Sequence, residues 1–264
     1  MNKTIVFVHG AWMNPLCWEK MISYFEAKGY KCLAPAWPYK DRSVEDLNKN
    51  PDPKLAKLGV IEIVDHYAEQ IRALPEPPIL IGHSFGGLFT QMLLDRGFGA
   101  AGVAIDPAPA KGIFPFYPTV FKAFSRILLT LGGWQKIFHA TFKEFRYAFV
   151  HLLPEAEQKA VYDRYVVPET GRIFFQSGFA MFNNATYVNF QNPKRAPLLL
   201  TAATQDHVCP ASQIRQTYQK YKRSSAATEF IEFNHHDHWL IAEPGYEQVA
   251  DYIDGWLGQL PTLS

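Results

Sequence analysis

Residues 79–87 read Ile79-Leu80-Ile81-Gly82-His83-Ser84-Phe85-Gly86-Gly87, a serine between two glycines directly after a short apolar run. This order puts a nucleophile on a sharp strand-to-helix elbow. So tight a turn forces the serine into a strained backbone conformation, and side chains at the flanking positions would collide with the adjoining strand and helix. Glycines at 82 and 86 remove those side chains. In a chain with 17 glycines the bare pattern could arise in a surface loop, so its surroundings must decide. Pro77 and Pro78 end the preceding element, Ile79 to Ile81 reads as a buried strand, and Leu88 to Leu94 has helical apolar spacing. Strand, turn and helix therefore follow one another as the elbow requires.

Working outward, Thr4 to Val8 reads as a strand, and Asn14-Pro15 supplies an N-cap with proline at the first helical position. Trp18, Met21, Ile22 and Phe25 share one face of that helix, and Gly29 stops it. A second strand is expected at Tyr30 to Ala34, a long connection from Pro35 to Lys57, and a helix from Val60 to Leu74. Beyond the elbow, strands are expected at Gly102 to Ile105, Pro197 to Ala202 and Thr228 to Phe233. Helices are expected over 211–222 and 245–257. Such alternation predicts an α/β fold, a mostly parallel sheet of about six strands with both faces covered.

Residues 107–192 break the alternation and hold 19 of the 39 aromatic residues. They read as a helical cap inserted into a core made of residues 1–106 and 193–264. The spacing of Phe138, Phe142, Phe145 and Phe149 suits packing between helices. A cap over the carboxyl ends of the strands also lines the cleft beneath it, and an aromatic lining selects apolar or aromatic ligands.

With 26 basic and 25 acidic residues in 264, the net charge of +1 offers no field for a polyanion, so no nucleic-acid partner is expected. The apolar run after Met-Asn-Lys is too short for a signal peptide, and no window reaches a membrane span. A cytoplasmic protein without integral membrane association is expected. Cys17, Cys32 and Cys209, odd in number and widely spaced, read as reduced packing thiols.

A serine hydroxyl needs a histidine to take its proton and a carboxylate to orient that histidine. The apolar run Leu198-Leu199-Leu200 leads into Thr204-Gln205-Asp206, which leaves Asp206 beyond a strand's carboxyl end. After Thr228 to Phe233 comes His235-His236-Asp237-His238-Trp239, from which His238 is taken as the base. Asp106, also at a strand end, is the competing acid, and its ordinary role would be to hydrogen-bond the loop that begins the cap. Four consecutive residues at 235–238 cannot all face one ion, so no metal is expected. His83, on the elbow itself, reads as a packing residue.

With His9-Gly10-Ala11-Trp12 at the end of the first strand, these pieces resemble the α/β-hydrolase superfamily, in its order and over nearly the whole chain. The opening Val-Phe-Val-His-Gly-Ala-Trp and the later Asp-His-Trp-Leu-Ile-Ala-Glu-Pro look most like the branch of plant methyl esterases and hydroxynitrile lyases, and resemble uncharacterised bacterial hydrolases. The resemblance implies Ser84 as nucleophile, His238 as acid and base, Asp206 as its partner, and the backbone N–H groups of Ala11 and Phe85 as an oxyanion hole. It implies that the cap follows the family's sixth strand. Trp12 either roofs the acyl pocket or covers the neighbouring helix.

The expected activity is that of a cofactor-independent serine hydrolase, a carboxylesterase acting on a small to medium apolar or aromatic ester through an acyl-enzyme. The same residues could serve C–C cleavage, acyl transfer or a receptor with little turnover. Hydroxynitrile lysis is disfavoured, because the lyases carry lysine after the histidine where this chain has Trp239.

Overall fold

The computed structural model describes residues 4–261. Strand β1 (Thr4–Val8) leads through a short 3-10 turn into α1 (Glu19–Ala27). The Asn14 side chain accepts from the Leu16 amide there, and Pro15 opens the turn. Trp18, Met21 and Phe25 are buried against the sheet, as the spacing requires. Strand β2 (Lys31–Leu33) is shorter than Tyr30 to Ala34 and sits at the sheet edge. The stretch 35–57 is more than a connection: it holds α2 (Val44–Lys49), capped by Ser43, whose hydroxyl accepts from the Asp46 amide.

Helix α3 (Val60–Arg72) buries Val60, Ile63, Val64, Tyr67 and Ile71. Strand β3 (Ile79–His83) and helix α4 (Phe85–Asp95) flank Ser84, so the helix starts three residues before the apolar spacing shows it. Every residue of α4 from Phe85 to Leu94 is buried, which makes it the central helix of the molecule. Strand β4 (Ala101–Ile105) follows.

The next segment carries α5 (Pro118–Leu128), β5 (Ile137–Phe138), α6 (Phe142–Phe149), α7 (Glu155–Tyr165), β6 (Glu169–Thr170) and α8 (Arg172–Gly178). A capping box between Thr141 and Glu144 starts α6. β5 and β6 form a small antiparallel pair apart from the main sheet. The chain then returns through β7 (Leu198–Ala203), α9 (Ala211–Tyr221), β8 (Thr228–Phe233) and α10 (Tyr246–Gly258).

The main sheet has the order β2-β1-β3-β4-β7-β8, and all its pairings are parallel. From β1 the chain first moves to β2 on one side, and later places β3 on the other. The order therefore reverses between β1 and β3, and the loops leaving their carboxyl ends diverge to open a crevice. Val8 pairs with Gly82, so His9-Gly10-Ala11 and His83-Ser84 emerge side by side at that point.

Candidate active site

Ser84 lies at the tip of the elbow with φ 58 and ψ −123, a left-handed conformation that costs a non-glycine residue about 1–3 kcal/mol. The surrounding structure imposes it. A Cβ at Gly86 would overlap the Val8 carbonyl oxygen on β1, and one at Gly82 would overlap the Gly86 carbonyl oxygen in α4. Gly10 shares the crowding, since a Cβ there would come 2.8 Å from that of Ser84. Strand, elbow and the loop after β1 are thus packed at backbone distance, and only glycine fits between them.

The Ala11 and Phe85 amides donate to no group among the described residues. Phe85 is the first residue of α4, where the helix leaves its N–H groups unpaired and the dipole favours negative charge. The next amide, that of Trp12, is committed: it donates to Glu169 Oε2 at 3.1 Å. Glu169 Oε2 also takes a hydrogen bond from Lys40 Nζ at 2.5 Å, and Oε1 accepts from its neighbour's amide, Thr170 N. Both side chains of this ion pair are fully buried. In return the Val167 amide donates to the Trp12 carbonyl, so the segment leading into β6 and Glu169 at its start hold Trp12 from both sides. Trp12 itself sits at φ 60.

His9 supports the same loop. Its Nδ1 donates to the Gly10 carbonyl at 2.9 Å, and its Nε2 accepts from the Trp37 amide at 3.3 Å, which fixes one neutral tautomer. Burial and the nearby Lys40 charge hold its pKa well below the usual histidine value.

Asp206 and His238 meet as the sequence order predicts. His238 Nδ1 donates to Asp206 Oδ2 at 2.6 Å, with both side chains fully buried. Asp206 Oδ1 accepts from the Val208 and Cys209 amides at 2.6 and 2.9 Å, which orients the carboxylate just after β7. Burial works against its charge, but His238 and these donors outweigh it and hold the pKa below the usual carboxylate value. His238 Nε2 is buried without a hydrogen-bond partner, so the structure brings His238 to Asp206 but does not close a hydrogen bond from Ser84. The imidazole packs 4.5 Å from the ring of His83, next to Ser84, and meets the edge of Phe149 at 4.7 Å.

Asp106 departs from its expected role. Its Oδ1 accepts from the Ala203 amide at the end of β7, rather than from the loop after β4. Burial, then the charge of Asp206, raise its pKa well above the usual value. The run at 235–238 also separates: His236 Nδ1 bonds Glu243 Oε1 at 2.7 Å while His238 turns to Asp206. Ligand atoms of Asp206, Cys209 and His238 lie within 4.8 Å of one another, a distance already used by the Asp206–His238 hydrogen bond. All three cysteines are free, and Cys17 and Cys209 are buried.

Ser84 lines an apolar cavity whose walls include Ala11, Trp12, Phe85, Phe124, Phe149 and Phe174. Trp12 belongs to this wall: it stacks on Phe124 at 5.7 Å and lies 5.0 Å from Phe174. Phe149 stacks on Phe145 at 4.9 Å, so the aromatic spacing in α6 serves both the interior and the cavity. Lys40 and Glu169 escape sequence reading, because nothing local announces a contact between residues 129 apart. Among the described residues no helix is long and apolar enough to cross a membrane.

A family model described as alpha/beta hydrolase family matches residues 5–252. No curated protein matches the chain. Among solved structures, a monoacylglycerol lipase from Paleococcus ferrophilus is similar, with 22% identity, a TM-score of 0.66, and coverage of 96% of this chain and 93% of that one. A pyrethroid hydrolase from Sphingobium faniae JZ-2 is similar at 18% identity and a TM-score of 0.64, over 97% of this chain and 98% of that one. A methylesterase from Arabidopsis is similar at 13% identity and a TM-score of 0.68, over 97% and 99%. The sheet order, the elbow and a family match over nearly the whole length agree: the chain belongs to the α/β-hydrolase family.

Proposed function

We propose that the protein is a cofactor-independent serine carboxylesterase acting on small to medium apolar or aromatic esters, with residues 107–192 as the cap over its core. The observation that carries this reading is the buried hydrogen bond from His238 to Asp206, which leaves Nε2 as the basic nitrogen of a ring packed 4.5 Å from that of His83, the residue before Ser84. Solved structures of a lipase, a pyrethroid hydrolase and a methylesterase with the same fold lend it support.

In this mechanism Ser84 Oγ attacks the ester carbonyl carbon and passes its proton to His238 Nε2. Asp206 holds Nδ1–H and stabilises the imidazolium. The carbonyl oxygen, now negative, receives the unfilled N–H groups of Ala11 and Phe85. Such a donor is worth roughly 3–4 kcal/mol in the transition state. Collapse expels the alcohol, which takes the proton from His238, and leaves an acyl-Ser84. Water, deprotonated by the same nitrogen, attacks the acyl carbon; the bond to Ser84 Oγ breaks, Oγ takes the proton back from His238, and the acid leaves. In this reading the Ser84–His238 hydrogen bond forms when substrate binds.

Fluorophosphonate labelling with peptide mass spectrometry, paired with p-nitrophenyl ester hydrolysis, tests the reading. Modification confined to Ser84, and a loss of at least about 10³-fold in kcat for Ser84→Ala, is the expected result. A Ser84→Ala protein that keeps most of its turnover overturns it.

A further inference from the structure

The mouth of the cavity is surrounded by large apolar side chains that the fold leaves in solvent. Phe116 and Phe121 line the cavity and are about half exposed. Around them Leu131 is 89% exposed, Phe182 79%, Leu129 73% and Met181 71%. Leu128 and Gly178 line the cavity with Phe116 and Phe121, and lead directly into Leu129 and towards Met181. Leu128 lies against Gly178, Trp134 meets Phe175 edge-on at 5.7 Å, and Phe175 stacks on Phe179 at 5.9 Å. The face therefore joins the end of α5, the turn after it, and the end of α8. Soluble monomers rarely leave so many large apolar groups together without a partner.

Charge narrows what that partner is. Between Asp106 and Glu144 there is no acidic residue, and none between Glu169 and the end of the segment at 192. The same stretches carry Lys111, Lys122, Arg126, Lys136, Lys143 and Arg172. Arg126 is neutralised by Glu144, but Lys111, Lys122, Lys136 and Arg172 pair with no carboxylate among the described residues. Lys136 lies two residues after Trp134, an ammonium on a long apolar stem beside the exposed rings, whereas the Lys122 ammonium lies over the Tyr147 ring. Apolar groups that insert, flanked by cations that stay at the headgroup level, suit a negatively charged lipid surface.

We infer that this face docks on an anionic lipid surface, with the mouth of the Ser84 cavity turned into it. An amphiphile could then pass along an apolar path from the lipid to the cavity without crossing water. The inference goes beyond the esterase reading and does not depend on it, because docking can be measured without turnover.

The test is co-sedimentation of Ser84→Ala protein with vesicles of phosphatidylcholine alone and of phosphatidylcholine with an equal amount of phosphatidylglycerol. Binding about tenfold or more tighter to the anionic vesicles is expected, and raised salt should weaken it. Leu131→Glu/Phe182→Glu should lose that binding by at least about tenfold while hydrolysing water-soluble short esters at the wild-type rate, which also shows that it folds. Absence of vesicle binding, equal binding to neutral vesicles, or a double variant that binds as wild type overturns the inference. So does a concentration-dependent dimer that the double variant abolishes without any vesicle binding, which would assign the face to a second copy of the chain.

Discussion

At the scale of single residues, Asp106 is a strand-end carboxylate whose pKa burial raises well above the usual value. Its left-handed backbone, φ 42, turns the side chain back so that it accepts from the Ala203 amide beside Asp206. Burial and the Asp206 charge raise its pKa, so the folded protein holds a proton there that the unfolded chain releases above about pH 4. With more protons bound in the folded state, stability falls as pH rises through this window. Asp106→Asn keeps the acceptor for Ala203 and removes the titration. The variant should gain on wild type by up to about 1.4 kcal/mol for each pH unit above about 4, until the folded Asp106 itself ionises. Denaturant titrations of both proteins at pH 5, 6 and 7 check this, and a difference that stays flat with pH would rule it out.

Among the elements, strand β6 has an effect its two residues do not suggest. Glu169 at its start takes the Trp12 amide and, with Lys40, fixes the peptide between Ala11 and Trp12. One amide of that loop is thereby occupied, and the preceding one is left free beside Ser84. Breaking a buried pair by removing one partner costs about 3–5 kcal/mol, whereas replacing both by apolar groups is often neutral. Glu169→Gln should therefore destabilise the protein by an amount in that range. Lys40→Met/Glu169→Leu should recover most of the stability yet keep kcat lower by about 10- to 100-fold, with KM little changed, because nothing then holds the Trp12 amide. Chemical denaturation and steady-state kinetics separate the two effects. A double variant with wild-type kcat would reduce the pair to a structural role.

The elements legible in the sequence are those whose signal is local. The elbow declares itself because glycines are sterically required at 82 and 86, and β1, β3, β4 and β7 because strands covered on both faces are continuously apolar. Order along the chain was enough to nominate Asp206 and His238 as a pair, and they are hydrogen-bonded. β5 and β6 are too short for any periodicity, and α2 hides in a polar, proline-rich stretch where only Ser43 marks its start. Lys40, Glu169 and the true partner of Asp106 depend on contacts between distant segments, which no local pattern encodes.

For the whole molecule, the reversal of strand order between β1 and β3 opens the crevice at Ser84, and the segment between β4 and β7 supplies much of the cavity wall. The cavity wall is nearly all aromatic and aliphatic, with Ser84 at one end, Phe116 and Phe121 at the other, and no charged side chain on its lining. An acyl chain entering it transfers from water to an apolar surround at about 0.8 kcal/mol per methylene, or roughly fourfold in an equilibrium constant. For a series of p-nitrophenyl esters, kcat/KM should rise by up to about fourfold per methylene until the cavity is filled, and then level or fall. Phe174→Ala, which opens the wall beside Trp12 and Phe124, should move the optimum to a longer chain without abolishing turnover of the shortest ester. A profile flat from acetate upward would mean that the acyl group lies outside this cavity, and that the aromatic wall serves the alcohol side of the substrate instead.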